Sequence, residues 1–111
     1  MAREQFQNLT EPMYYILMAL IDERCGVDIM SAVYEISNGR VKVGPGTLYA
    51  LLGKFEKEKM IVETGVDGRR RSYIITEKGL MILREEYERI RILLRDGEKF
   101  LGGMVNEDRK D

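Results

Sequence analysis

The spacing of apolar positions changes several times along the chain, and each change marks an element. Met13 to Ile21 is a run of nine apolar residues between Glu11 and Asp22. Thr10 stands where a helix cap is needed, with Glu11 and Pro12 in the first turn, so the run predicts a helix ending near Glu23. Apolar on every side, it belongs in a core. From Gly26 and Asp28 onward, Ile29, Met30, Val33 and Ile36 recur at spacings of three and four, which predicts a short amphipathic helix stopped by Asn38-Gly39. Arg40-Val41-Lys42-Val43 then alternates polar and apolar, as an extended link or edge strand does.

A third helix should begin at Pro45, whose ring fixes φ for a first helical turn, with Gly44 at the cap position. Leu48, Leu51, Leu52 and Phe55 fall at i, i+3, i+4 and i+7 and form its buried stripe. The opposite face is Gly46, Tyr49, Ala50, Gly53 and Lys57. A glycine inside a helix costs roughly 1 kcal/mol relative to alanine, so Gly53 predicts close approach by another surface. The period then shortens to two: Ile61 to Thr64 and Ser72 to Ile75 read as strands joined by a turn at Asp67-Gly68. Thr76 can cap a last helix in which Leu80, Leu83, Tyr87, Ile90 and Leu94 repeat at spacings of 3, 4, 3 and 4, a two-heptad seam for a partner helix. Met81, Ile82, Ile92 and Leu93 widen that seam, so the helix should also pack on its own domain. Gly97, Gly102, Gly103 and the polar end NEDRKD predict that order fades from Asp96 onward.

Three helices followed by a hairpin is the order of a winged helix-turn-helix. The expected class is α+β, mainly α, with that domain over residues 1–76, a C-terminal dimerisation helix over 77–101 and a flexible tail over 102–111. At 111 residues, 44% hydrophobic and 33% charged, the chain suits one small soluble domain, stabilised further by self-association. No apolar run approaches the roughly 20 residues that cross a bilayer, so no membrane contact and a cytoplasmic location are expected. The single Cys25 excludes an intramolecular disulfide, and without histidine a conventional zinc site is not available from one chain. A cysteine without a partner base, and a Gly44–Gly46 turn lacking a following Gly-Lys-Ser/Thr, leave no catalytic constellation. No enzyme, cofactor or metal is expected.

The net charge of −1 hides an uneven distribution: residues 1–39 carry −4, residues 40–73 carry +4 and residues 74–111 carry −1. The basic middle third holds the third helix and the hairpin, where Arg69, Arg70 and Arg71 follow one another. Arginine forks match phosphate geometry and enter minor grooves, and a slim helix fits a DNA major groove. The N–H groups near Gly46 and Thr47 suit a phosphate.

The segments LTEPMYYILMAL, SNGRVKVGPGTLYALLGKFEKEKMI and GRRRSYIITEKG, spanning most of residues 9–79, resemble the PadR family of bacterial transcriptional regulators. The resemblance implies a homodimeric winged-helix repressor that reads a palindromic operator in double-stranded DNA. It implies DNA contact by Thr47, Tyr49, Lys54, Arg69, Arg70 and Arg71, to which the bare helix face and the basic zone add Lys42, Gly46, Ala50 and Lys57 as DNA-binding residues. In compact members with one helix after the wing, the first and last helices can enclose an apolar cavity for an aromatic or drug-like effector. The matching residues here are Tyr14, Tyr15, Met18, Tyr87 and Phe100. Cys25-Gly26-Val27 departs from a common His-Gly-Tyr, and Lys59 stands where a glycine typically ends the third helix, which predicts a less sharp ending. The alternative is a winged helix that docks on protein without DNA, and salt dependence separates the two.

Overall fold

Thr10 Oγ1 accepts the Met13 N–H at 3.4 Å and starts α1 (Glu11–Ala19). The structure is a computed structural model that describes residues 8–68 and 70–108, with backbone alone for 66, 67 and 105–108. β1 (Arg24–Cys25), α2 (Gly26–Ile36), α3 (Pro45–Lys57), β2 (Ile61–Asp67), β3 (Arg70–Ile75) and α4 (Glu77–Asp108) follow in order. The core lies where α1, α2 and α3 meet the small sheet, and Phe55, Ile16, Leu17, Leu20, Ile29, Leu48, Leu52, Met60 and Val33 are all fully buried there. This is the winged helix-turn-helix arrangement that the chain's apolar spacing predicts.

Two features of this part of the chain differ from the sequence expectation, each for a local reason. α1 ends at Ala19 rather than near Glu23, because its last carbonyls are drawn elsewhere: Arg24 Nε donates to Ala19 O at 2.7 Å, and the Ile75 N–H donates to Leu20 O at 2.8 Å. That second bond leads into a strand the sequence does not announce. β1 is two residues long, too short to show alternation, and exists because Arg24 and Cys25 pair antiparallel with Tyr73 and Ser72 on β3, giving the order β1-β3-β2. The Arg40–Val43 segment, conversely, is the extended link and not a strand. Its Val41 N–H goes to the buried Ser37 hydroxyl at 2.9 Å, and Val41 and Val43 are buried around the exposed Lys42.

α2 stops where Asn38-Gly39 predicts. Both residues take positive φ, and the Gly39 N–H reaches back to Tyr34 O at 2.8 Å, which closes the last turn. α3 ends in the same way, so Lys59 corrects the expectation of a blunt ending. Lys59 adopts φ 63°, its N–H bonds Glu56 O at 2.9 Å, and the Met60 N–H bonds Phe55 O at 2.8 Å. The turn is complete even though a β-carbon is disfavoured there by about 1–2 kcal/mol. α4 also outruns its expected end at residue 101 and continues through Gly97, Gly102 and Gly103 to Asp108. Scattered glycines weaken a helix without forbidding it, and Phe100, Leu101 and Met104 extend the apolar pattern past them. The expected tail over 102–111 is therefore helical as far as 108. No described helix is long and apolar enough to cross a membrane, and no described group of residues could hold a metal ion.

Candidate nucleic-acid interface

α3 begins at Gly44, whose φ of −83° and ψ of 167° turn the chain into the helix, with Pro45 next and no side chain capping the first N–H groups. Its first turn contains no acidic residue, and Lys54 and Lys57 occupy its last turn. Burial divides the helix as the spacing predicts. Leu48, Leu52 and Phe55 are buried and Leu51 half-buried, while Gly46, Thr47, Tyr49, Ala50, Gly53, Lys54 and Lys57 are all exposed. Gly46 and Gly53 have no neighbouring atom within 4 Å of where a β-carbon would sit. Among the described residues nothing requires a glycine at 53, and the helix carries its propensity cost without an internal return there.

Tyr49 has a second role. It is 51% exposed, yet a β-carbon on Gly26 would lie 2.1 Å from its hydroxyl oxygen. Gly26, at the start of α2, is thus the floor on which the Tyr49 ring rests. Lys42 stands beside this face with its Nζ 5.8 Å from the centre of the Tyr34 ring, a cation–π contact that positions the ammonium without neutralising it.

The wing is the β2–β3 hairpin, with Asp67 opposite Arg70 and an irregularity between Glu63 and Gly65 that leaves Thr64 outside the pairing. Gly68 at the turn has φ 63°. Arg70 and Arg71 are exposed; Arg69 lies outside the described residues. Arg71 leans back on the sheet, its Nε 3.9 Å from Glu63 Oε2. Tyr73 beneath it has its phenol pKa pushed up, first by burial and then by Glu56 and Glu63, with the Arg71 hydrogen bond and charge opposing. An exposed ion pair such as Arg71–Glu63 is worth about 0–1 kcal/mol, little enough for a phosphate to displace it.

α4 splits into two parts. Gly79, Ile82, Leu83 and Glu86 are buried at i, i+3, i+4 and i+7 and face the chain's own domain, whereas no described residue from Tyr87 to Met104 is buried. Leu83, placed in the partner seam by its spacing, is only 6% exposed and belongs to the core. Leu80 is half-buried against the core cluster. Tyr87, Ile90 and Leu94 are exposed, and the same spacing runs on through Gly97 to Leu101 and Met104. The outward stripe is thus shifted along the helix relative to the sequence reading. From Tyr87 to Asp108 the helix projects about 33 Å, at about 1.5 Å per residue.

Glu86 escapes sequence reasoning because it sits in the charged string REEYER, which reads as solvated. Its carboxylate is buried: it accepts the Leu9 N–H at 3.3 Å and Arg89 Nε at 3.1 Å, and so ties α4 to the chain entering α1. The signal available in sequence was its place seven residues after Gly79. Of the aromatic residues assigned to an effector, Tyr14 interacts with Tyr87 and Glu86; its phenol pKa is raised mainly by burial, then by those two groups and Tyr15. Tyr15 packs edge-on against Tyr14, ring centres 6.0 Å apart, while its hydroxyl accepts from Arg40 Nη2 at 2.9 Å and Arg40 Nη1 pairs with Glu11 at 3.0 Å. Met18 is half-buried against the core. Phe100 lies thirteen residues beyond Tyr87 on one helix, about 20 Å away along its axis, so a single chain does not bring these residues into one cavity.

The sequence matches the Transcriptional regulator PadR-like family over residues 16–85. Among similar solved structures, a transcriptional regulator from Clostridium thermocellum shares 24% identity over 79% of this chain and 90% of its own, with a TM-score of 0.67. RosR of H. salinarum shares 22% identity over 94% and 96%, with a TM-score of 0.66. A PadR family transcriptional regulator from Eggerthella lenta shares 22% over 79% and 75%, with a TM-score of 0.64. At these identities the likeness is one of fold. No curated protein matches the chain.

Proposed function

Since the chain belongs to the PadR-like family of transcriptional regulators, we propose that it acts in the cytoplasm as a homodimeric, sequence-specific DNA-binding repressor. The observation that carries this reading is the exposed face of α3. Gly46 and Gly53 leave it bare where no internal contact needs them, with Tyr49 and Ala50 between them and Lys54 and Lys57 at the far end. Such a face follows the floor of a major groove while the lysines meet its phosphate edges. Lys42 and Thr47 meet the backbone at the start of α3, and Arg69, Arg70 and Arg71 meet it from the wing.

The dimer rests on the exposed stripe Tyr87, Ile90, Leu94, Leu101 and Met104, which water leaves unfavourably solvated and a second copy of α4 covers. Two copies of α3 then address two halves of a palindrome about 34 Å apart. An aromatic or drug-like effector completes the proposal, bound beside the dimer seam near the Tyr14–Tyr15 pair; it releases DNA only by favouring one dimer arrangement over the other. A mobility shift with DNA from directly upstream of the chain's own gene, titrated against salt and random competitor, tests the reading. Specific binding that falls linearly in log–log form with salt is expected. Salt-independent behaviour, or indifference to every duplex at low ionic strength, refutes it.

A further inference from the structure

The chain leaving α3 is tied by hydrogen bonds to Thr76 and to the first turn of α4. Three successive carbonyls emerge there, from Glu58, Lys59 and Met60, and all three accept hydrogen bonds from one short stretch of chain. Lys78 Nζ donates to Glu58 O at 2.7 Å, Thr76 Oγ1 to Lys59 O at 2.8 Å and the Thr76 N–H to Met60 O at 2.9 Å. Thr76 Oγ1 also accepts the Gly79 N–H at 3.1 Å, so one hydroxyl both caps α4 and grips the end of α3. Gly79 closes the joint: a β-carbon on it would meet Met60 O at 2.1 Å. The Glu58 carbonyl, at the cap, is one that the helix end leaves without an internal partner, and the left-handed Lys59 turns the next two toward α4.

The joint is not braced by packing on every side. An open cleft of about 320 Å³, lined by Glu56, Lys59, Ile61, Val62 and Thr76, runs along it. Alongside the core packing of Met60, Ile82 and Leu83, these hydrogen bonds therefore help fix the angle between the two helices. One of these helices carries the bare face and the other carries the exposed apolar stripe.

We infer that Thr76, Lys78 and Gly79 are positioning residues that set the distance between the two copies of α3 in the dimer, and through it the half-site spacing that the protein accepts. The inference rests on the dimeric DNA-binding reading above. The lever is long: α3 extends about 20 Å from the joint, so a tilt of about 10° moves its far end by about 3 Å, close to the rise of one base pair.

The test uses the full chain. Thr76→Val removes the hydroxyl and Thr76→Ser restores it; Lys78→Met is a second, milder lesion should Thr76→Val fold poorly. In a Cys25→Ser background, spin labels on Thr47→Cys report the distance between the two copies of α3 by pulsed electron resonance, with no DNA present. A narrow distribution is expected for the unmodified joint, shifted or broadened by about 3 Å in Thr76→Val and Lys78→Met and narrow again in Thr76→Ser. In parallel, unlabelled proteins are titrated with operators whose half-sites are moved apart or together by one base pair. The parent should discriminate at least about tenfold between spacings, Thr76→Val less than about threefold, with affinity for a single half-site unchanged. Unchanged distance distributions and spacing preference in both lesions overturn the inference. So does a parent that gives no distance between subunits. Normal distance shifts in a protein that ignores DNA would instead remove the DNA-binding reading and leave the joint standing.

Discussion

Replacing Gly53 by alanine should make the protein more stable and a poorer DNA binder at the same time. The stability side follows from the helix itself. Gly53 lies inside α3 with ordinary negative φ, it is exposed, and no atom stands within 4 Å of the added methyl group. The alanine therefore brings the full helix-propensity difference of about 0.8–1 kcal/mol, a rise in Tm of roughly 4 °C or more for a chain of this size. The binding side follows from the groove. A methyl group on the face that approaches the bases holds α3 off by an ångström or more and strains the contacts of Tyr49, Lys54 and Lys57 on either side. Losing one or two charge-assisted hydrogen bonds of about 1.5–3 kcal/mol weakens operator affinity at least about tenfold. Urea denaturation followed by circular dichroism reads the first effect, and fluorescence anisotropy with operator and random duplexes reads the second. A variant that is stabilised and binds as before would show that the bare face is not what touches DNA. A destabilised variant would show that the glycine answers an internal need.

Lys59→Gly keeps the carbonyl geometry while removing a β-carbon from φ 63°; set against the extra entropy of glycine in the unfolded chain, a net gain of about 0.5–1 kcal/mol is expected in chemical denaturation, and a loss would contradict the left-handed assignment. Arg70→Ala should weaken binding to all duplexes alike and reduce the slope of log affinity against log salt by about 0.9 for each lost phosphate contact, with folding intact by circular dichroism. Leu94→Asp, at a position 63% exposed, should give folded monomers in sedimentation, whereas Leu83→Asp buries a carboxylate in the core and should unfold the chain; a folded Leu83→Asp monomer would return Leu83 to the seam. Burial raises the Tyr14 pKa above its ordinary value of 10.0. The neutral phenol is therefore favoured by folding, so this contribution is complete below pH about 10 and lost as pH rises further, and Tyr14→Phe should flatten alkaline denaturation curves.

The winged-helix order was legible because its core is written in periodic apolar residues. The stripe of Leu48, Leu52 and Phe55 and the change of period at Ile61 each constrain one element without help from the rest of the chain. What escaped depends on partners distant in sequence. β1 is a strand only because β3 lies beside it, and Lys59 takes a conformation its side chain opposes because α4 draws the carbonyls on either side of it. Glu86 is buried where the Leu9 N–H, 77 positions away, meets its carboxylate. The exposed face of α3 was legible for the opposite reason. Among the described residues Gly46 and Gly53 touch nothing there, and Tyr49 reaches the rest of the domain where its hydroxyl meets Gly26, so most of the face's residue types reflect what lies outside.

That contrast has an energetic side. α3 carries two local penalties, about 1 kcal/mol at Gly53 and about 1–2 kcal/mol at Lys59, and on propensity alone it would be a poor helix. Truncating a buried leucine or phenylalanine to alanine typically costs about 2–5 kcal/mol, and α3 has three such residues in Leu48, Leu52 and Phe55, all at 1% exposure or less. Tertiary packing therefore outweighs both penalties severalfold and decides that the helix forms. With the inner face providing its stability, most of the outer face, Tyr49 on its Gly26 floor excepted, carries little structural duty. Shape and charge can then set its residues, which is the condition a surface must meet before evolution can tune it to one DNA sequence rather than another.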